Sequence, residues 1–313
     1  MKIVFMGTPQ FAVPILEEIS KQHQLVLIVT QPDQYNSRRK EIIFSPVKQW
    51  AVDNKHPVFQ PLKIRKDYQK ILDLEVDLII TAAYGQIVGE EVLNHPQYKA
   101  INIHGSLLPK YRGGAPIQRA LMNGEKQTGI TIMYMAKKMD AGDILKMQAI
   151  DILASDNQDT LFTKLSDLAA SMINEVIFAL ERQTIFAIAQ NEAEVTYAYN
   201  LSKKDEEINF NVTARQVFNQ IRGLSSNPGG YFVIDNQIIK VYNSIVSSRT
   251  HASEAGRIIA IDKNSFDISC AEGTSVSILE LQLPSKSRMM ARDFVNGQGR
   301  KMLQINKKIG EQL

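Results

Sequence analysis

The densest chemically capable segment of the chain is Asn102-Ile103-His104-Gly105-Ser106-Leu107-Leu108-Pro109-Lys110-Tyr111-Arg112-Gly113-Gly114-Ala115-Pro116-Ile117-Gln118-Arg119. It opens with an amide and an imidazole two residues apart. An amide NH2 and an imidazolium can both donate hydrogen bonds to a developing oxyanion, and a nearby carboxylate can orient the imidazole. Carboxylates lie downstream, in the turn Met139-Asp140-Ala141-Gly142-Asp143. Asn, His and Asp together suit acyl or formyl transfer. Taken singly they say less: Asp in an Asp-Ala-Gly turn is a common turn former, and His23, His56, His95 and His251 read as structural or solvated. Ser106 is not in a G-x-S-x-G elbow, which argues against a serine hydrolase.

The elements that position these groups are legible from hydrophobic patterning. Asn102 and His104 close an apolar run at 100–104, so on a strand they share one face and point into the crevice beyond the strand end. Runs at 3–6, 25–29 and 78–81 read as further buried strands, alternating with helices over about 10–20, from Ser45-Pro46, and over about 67–74. This alternation predicts a doubly wound, mostly parallel α/β sheet. Gly7-Thr8-Pro9 stands where a dinucleotide fold places its glycine-rich turn, but the G-x-G-x-x-G glycines and a Walker lysine are missing. Strands at 129–135 and 144–153 and a long helix over about 159–183 follow. The stretch 184–205 lacks periodicity and reads as a linker. Beyond it come a helix near 213–222 and short strands at 231–234, 238–242, 257–261, 266–269 and 276–283, the pattern of a small barrel or sandwich.

A length of 313 residues fits two domains better than one. Hydrophobic content of 44% and charged content of 22% exclude a disordered, collagenous or coiled-coil chain. No apolar run approaches the ~20 residues needed to cross a bilayer, so no membrane partner is expected and the chain reads as a soluble cytoplasmic protein. The lone Cys270 excludes a disulfide framework and a multi-cysteine metal site, and no other ligand cluster is visible, so no metal is expected. A net charge of +3 permits a polyanionic partner without implying one. From residue 284 onward Lys286, Arg288, Arg292, Arg300, Lys301, Lys307 and Lys308 face only Asp293 and Glu311, a basic stretch that can equally be a solvated face.

Several motifs carry a family likeness. Asn-x-His-Gly-Ser-Leu-Leu-Pro at 102–109, Tyr-Arg-Gly-Gly-Ala-Pro-Ile-Gln at 111–118 and Met-Asp-Ala-Gly-Asp-Ile-Leu at 139–145 resemble the formyltransferases that use 10-formyltetrahydrofolate. Gly7-Thr8-Pro9-Gln10-Phe11, Thr30-Gln31-Pro32-Asp33, Ser45-Pro46-Val47-Lys48, Ala83-Tyr84-Gly85, Thr196-Tyr197-Ala198, Leu201-Ser202-Lys203 and Ile221-Arg222-Gly223 extend the likeness over almost the whole chain, to the branch whose acceptor is methionyl-tRNA. The resemblance implies that Asn102, His104 and Asp140 are catalytic and that Ser106, Leu107, Leu108 and Pro109 line the folate site. It implies a catalytic domain at 1–183, a linker at 184–206 and an OB-like, tRNA-binding barrel at 207–313. The implied reaction moves a formyl group from 10-formyltetrahydrofolate to the α-amine of initiator methionyl-tRNA, in a cytoplasmic monomer. Family members commonly probe the tRNA acceptor end with a glycine-containing basic loop. Here Arg38, Arg39 and Lys40 keep the charge, while the glycines are absent and Glu41 follows. A formyltransferase acting on an amino-sugar nucleotide, a glycinamide ribonucleotide formyltransferase and an inert RNA-binding module on the same fold are the alternatives.

Overall fold

Strands buried on both faces need helices on both sides, and the first apolar run meets that condition. Val4 and Met6 pack with Ile71, Tyr84, Val92 and Leu93, while Ile3 and Phe5, pointing the other way, are equally buried. The structure, a computed structural model, describes residues 1–37 and 40–310. Two compact units emerge: Met1–Pro116 with Gln127–Ile150 and Phe162–Ala198, and Ile117–Lys126 with Asp151–Leu161 and Tyr199–Leu313.

The first unit is built on strands β1 (Lys2–Gly7), β2 (Gln24–Val29), β3 (Gln34–Asn36), β4 (Glu41–Ile43), β5 (Val58–Phe59), β6 (Leu78–Ala82), β7 (Ala100–His104), β8 (Gln127–Tyr134) and β9 (Ile144–Asp151). Seven of them form one sheet in the order β5-β2-β1-β6-β7-β8-β9, while β3 and β4 make a separate hairpin. All pairs from β5 to β7 are parallel, and β7 with β8 is antiparallel. The chain runs from β1 outward through β2 and β5, then returns to the other side of β1 as β6. Strand order therefore reverses between β1 and β6, which opens a crevice at their carboxyl ends. Gly7, Ala82 and His104 end the three central strands there.

Helices α1 (Val13–Ser20), α2 (Pro46–Asp53), α3 (Gln69–Leu72) and α4 (Glu90–Leu93) connect these strands. Ser45 caps α2 by accepting from the Lys48 amide at 3.1 Å, and Pro46 follows in the first turn, where a missing N–H costs nothing. Helix α5 (Pro116–Met122) follows the 105–115 loop, and α6 (Gln158–Glu181) spans most of the expected long helix. In the first unit α6 is pinned by Ser166, which donates to the Phe11 carbonyl at 2.7 Å, and by an edge contact between Phe11 and Phe162. The expected helix over 67–74 shrinks to the single turn of α3, with Tyr68 at an N-cap that makes no side-chain bond.

The second unit contains α7 (Lys203–Glu206), α8 (Ala214–Leu224), β10 (Gly230–Ile234), β11 (Gln237–Val246), β12 (Ile258–Ile261), β13 (Phe266–Ser269), β14 (Ser275–Gln282), β15 (Met289–Met290), α9 (Ala291–Asn296) and α10 (Gly299–Met302). Its antiparallel sheet runs β10-β11-β14-β13-β12, with β15 added beside β14. Val217 and Ile221 of α8 and Phe294 of α9 close the core with Phe232, Phe266 and Ile278. The α9 and α10 turns had no counterpart in the hydrophobic pattern. They place the buried Phe294 ring 6.0 Å from Phe266. The expectation of a doubly wound sheet followed by a small β domain is borne out.

Helix α8 begins with a capping box, in which Thr213 accepts from the Gln216 amide and Gln216 Oε1 accepts from the Thr213 amide at 3.0 Å. Thr213→Ala should cost about 1 kcal/mol of stability, measurable as a lower urea midpoint with an unchanged slope. An unchanged midpoint would show that the cap contributes nothing.

Candidate active site

Parallel pairing of β6 with β7 sets Thr81 beside Asn102. Thr81 Oγ1 donates to Asn102 Oδ1 at 2.7 Å, so the amide is turned with its NH2 outward, toward Asp140 Oδ1 at 3.5 Å. The second amide N–H of Asn102 has no partner among the described residues and is available to an incoming acceptor. His104 closes the strand and is 6% exposed. Its Nε2 lies 2.9 Å from the Tyr111 carbonyl. A carbonyl only accepts, so Nε2 holds a proton and Nδ1 is the nitrogen free to give or take one. That nitrogen lies 3.7 Å from Asp140 Oδ2. Asn102 and His104 thus converge on the Asp140 carboxylate.

Asp140 itself is held from several directions. Its φ is 52°, the left-handed region that disfavours non-glycine residues. Its Oδ2 accepts from the Gly113 amide at 2.9 Å. Gln190 Nε2 donates to the Asp140 carbonyl at 2.9 Å and to the Gly142 carbonyl at 2.8 Å. Two glycines are required by the closeness of this packing. Gly113 has φ +124°, and a Cβ there would lie 2.7 Å from the Ala198 carbonyl oxygen, while a Cβ on Gly142 would lie 1.8 Å from the Tyr134 carbonyl oxygen.

The 105–110 turn is fastened to β8. Thr131 Oγ1 donates to the Ser106 carbonyl at 2.7 Å and accepts from the Leu108 amide at 3.2 Å, while Ser106 Oγ donates to the Lys110 carbonyl at 2.7 Å. Ser106 and Leu108 are buried; Leu107 and Pro109 are partly exposed. The hydroxyl of Ser106 is therefore spent inside the turn, and Leu107 with Pro109 offers the reachable apolar surface. Residues 184–198, read from the sequence as linker, are built into the first unit: the Arg112 amide donates to the Thr196 carbonyl at 2.9 Å and the Ala198 amide to the Arg112 carbonyl at 2.7 Å.

Lys40 is exposed at the turn between β3 and β4, with Tyr35 and Ile42 also exposed on that hairpin. Arg38 and Arg39 lie outside the described residues. In the second unit a cleft of about 560 Å³ is lined in part by Arg215, Arg222, Arg288, Phe218 and Tyr242. The Arg288 guanidinium lies 3.6 Å over the Tyr242 ring. Asp156, Asp159 and Glu280 line the same cleft, so its charge is mixed.

Sequence reasoning gave no role to Thr81, Gln190, Arg112 or the backbone groups of Tyr111 and Gly113. Arg112 and Gly113 were visible within the Tyr-Arg-Gly-Gly motif. Gln190 carried no signal at all, because its importance comes from contacts made far along the chain.

A switch-point crevice with an amide, an imidazole and a carboxylate converging at its strand ends has the donor and acceptor groups that acyl-type transfer uses. Residues 1–177 match the family described as Formyl transferase and residues 200–299 match Formyl transferase, C-terminal domain; the chain belongs to the formyl transferase family. It is 43% identical over 314 aligned residues to the methionyl-tRNA formyltransferase of Bacillus cereus (strain B4264), and 44% identical to that of Bacillus mycoides (strain KBAB4), with 99% of each chain covered in both cases. Its fold is shared with the N-formyltransferase of Helicobacter canadensis, solved with folinic acid and dTDP-3-aminofucose (TM-score 0.68, 20% identity, 89% of this chain and 98% of that one). It is also shared with the sugar 3N-formyl transferase WlaRD, solved with dTDP and 5-N-formyl-THF (TM-score 0.67, 20% identity, 92% and 99%).

Two outcomes follow from the geometry. Gly113→Ala should displace the amide that holds Asp140 and lower turnover about 10–100-fold, read by steady-state kinetics; parental turnover would mean this bond is dispensable. Glu192 is held down to about 2 by hydrogen bonds from Arg112 and Lys138. A depressed carboxyl contributes stability above its ordinary value, about 4.5, and loses it as pH falls toward about 2. Glu192→Gln should be less stable than the parent at pH 7, with urea midpoints that converge as pH drops below 4.5. A gap that stays constant would contradict the pairing.

Proposed function

We propose that the chain transfers a formyl group from 10-formyltetrahydrofolate to the α-amine of initiator methionyl-tRNA, giving N-formylmethionyl-tRNA. The observation that carries this reading is the 43% identity running through both units to proteins of that name. The sugar N-formyltransferases share the fold at 20% identity, which speaks to architecture and not to the acceptor.

In this reading the formyl donor is a co-substrate that lies against Leu107 and Pro109, with Ser106 and Leu108 supporting the wall from behind. This division agrees with their exposure and with the Thr131 bonds that hold the turn. The amine must attack unprotonated, and the Asp140 carboxylate accepts its proton directly or through water. Negative charge develops on the formyl oxygen, where the unpartnered N–H of Asn102 donates, joined by Nδ1–H of His104 once the ring is the imidazolium that the Asp140 carboxylate faces. One such donor is typically worth ~2.7–4 kcal/mol of barrier. The intermediate collapses by breaking its bond to the folate amine, which leaves with a proton from His104 Nδ1, and the proton that Asp140 took from the attacking amine replaces it. The Tyr111 carbonyl keeps Nε2 occupied, so this traffic runs through Nδ1.

The functional division that accompanies this reading is a catalytic domain at 1–183 with the 184–198 stretch packed onto it, a connection over the rest of 184–206 and a tRNA-binding domain at 207–313, acting as a cytoplasmic monomer. Lys40, with Arg38 and Arg39, contacts the acceptor end of the tRNA. Lys–phosphate and Arg–phosphate contacts release counterions and make binding salt-dependent.

Purified protein should formylate charged initiator tRNA in a saturable reaction that depends on 10-formyltetrahydrofolate, and should not formylate dTDP-linked amino sugars. Activity only on the amino sugars would overturn the acceptor assignment. Asp140→Asn should lower kcat at least about 100-fold with little change in KM for the formyl donor. Near-parental turnover would remove Asp140 from the chemistry.

A further inference from the structure

The 184–198 segment sends one side chain, Gln190, into the Asp140 turn, and its bonding is complete. Both amide hydrogens are used on carbonyls that flank the turn, Asp140 O at 2.9 Å and Gly142 O at 2.8 Å. Its Oε1 accepts a fork of two bonds from Arg112, Nε at 3.0 Å and Nη2 at 2.8 Å. Arg112 Nη2 also reaches Glu192 Oε1 at 2.7 Å. The guanidinium is wholly buried, and its Nη1 has no partner among the described residues. Taking such a group out of water costs several kcal/mol, and one unpaired nitrogen leaves part of that cost uncompensated.

That cost is out of place in a purely structural role, because an apolar side chain of similar volume is often neutral or stabilising at such a position. What the arrangement supplies is position. Arg112 fixes the orientation of the Gln190 amide, since only the acceptor end of that amide can face a guanidinium. The donor end must then face the turn. Gly113, the residue after Arg112, gives its amide to Asp140 Oδ2. One short stretch of chain therefore holds Asp140 at both ends, its carboxylate through Gly113 and its carbonyl through Arg112 and Gln190. A left-handed aspartate stays in place only where its surroundings over-determine it.

We infer that Gln190 and Arg112 are positioning residues that set the Asp140 carboxylate against Asn102 and His104 for formyl transfer. This rests on the catalytic reading of Asp140. Neither side chain touches the reacting groups, so both act through the Asp140 turn. Misplacement of a reacting group by about 1 Å can cost about 100-fold in rate.

The test is a double-mutant cycle in the full-length protein, with kcat, KM for both substrates and thermal midpoint measured for each member. Gln190→Met keeps the length and volume and removes every hydrogen bond. It should lower kcat about 100-fold and leave both KM values within about threefold, while the thermal midpoint falls because the buried Arg112 loses its acceptor. Added to Asp140→Asn, the same substitution should cost less than about threefold more, because no carboxylate remains to be placed. Gln190→Glu keeps the acceptor for Arg112 and loses the donors, so it should reproduce the kcat loss; it replaces Gln190→Met in the cycle if that variant does not melt cooperatively. A full, additive loss in the Asp140→Asn background, or a Gln190 variant with parental kcat, would overturn the inference. An Asp140→Asn variant with parental kcat would instead overturn the catalytic reading beneath it.

Discussion

The site depends on keeping one carboxylate in place. Asp140 sits in a left-handed turn that its own backbone disfavours, and its side chain is the meeting point of an asparagine amide, an imidazole nitrogen and a glycine amide. A carboxylate is the one common side chain that accepts from several donors at once and can also take a proton. Remove it, and Asn102 and His104, still turned by Thr81 and the Tyr111 carbonyl, lose the one group they share. The switch between β1 and β6 supplies the crevice, and the 111–115 loop and the 184–198 segment supply the grip on Asp140.

That grip explains why expensive features cluster in so small a region. A buried guanidinium, a left-handed aspartate and two glycines with no room for a methyl group all lie around the 140–142 turn. Each alone is a cost to stability of the kind that ordinary packing avoids. Together they leave the turn few alternative conformations, which is what preorganised transfer chemistry needs. The His104 ring is treated the same way. Its Nε2 is committed to a backbone carbonyl, so only Nδ1 is left for chemistry, on the side where the carboxylate lies.

Much of this was legible in the sequence and some of it was not, for physical reasons. The parallel strands read clearly because burial on both faces makes them continuous apolar runs, as in residues 3–6 and 78–81. The Ser45-Pro46 helix start read clearly because cap and first-turn proline are local. Spacing put Asn102 and His104 on one face of a strand end, and only the resemblance to the formyltransferases gave them a catalytic reading. The short helical turns α9 and α10 did not, since a single turn carries too little periodicity to stand out. Gln190 was invisible for a different reason: a polar residue in an aperiodic stretch gains meaning only from partners at positions 112, 140 and 142. The Gly113 amide was hidden too, because a backbone donor has no residue type to announce it.

The most direct measurement is the proton position on the His104 ring. Ring-nitrogen NMR on protein labelled in histidine, with His104 assigned by substitution, reads each nitrogen separately. The neutral ring should carry its proton on Nε2, held by the Tyr111 carbonyl. Asp140→Asn should move the Nδ1 resonance while leaving Nε2 nearly where it was. A neutral ring protonated at Nδ1, or an Nδ1 resonance indifferent to Asp140→Asn, would contradict the convergence of the site on that carboxylate.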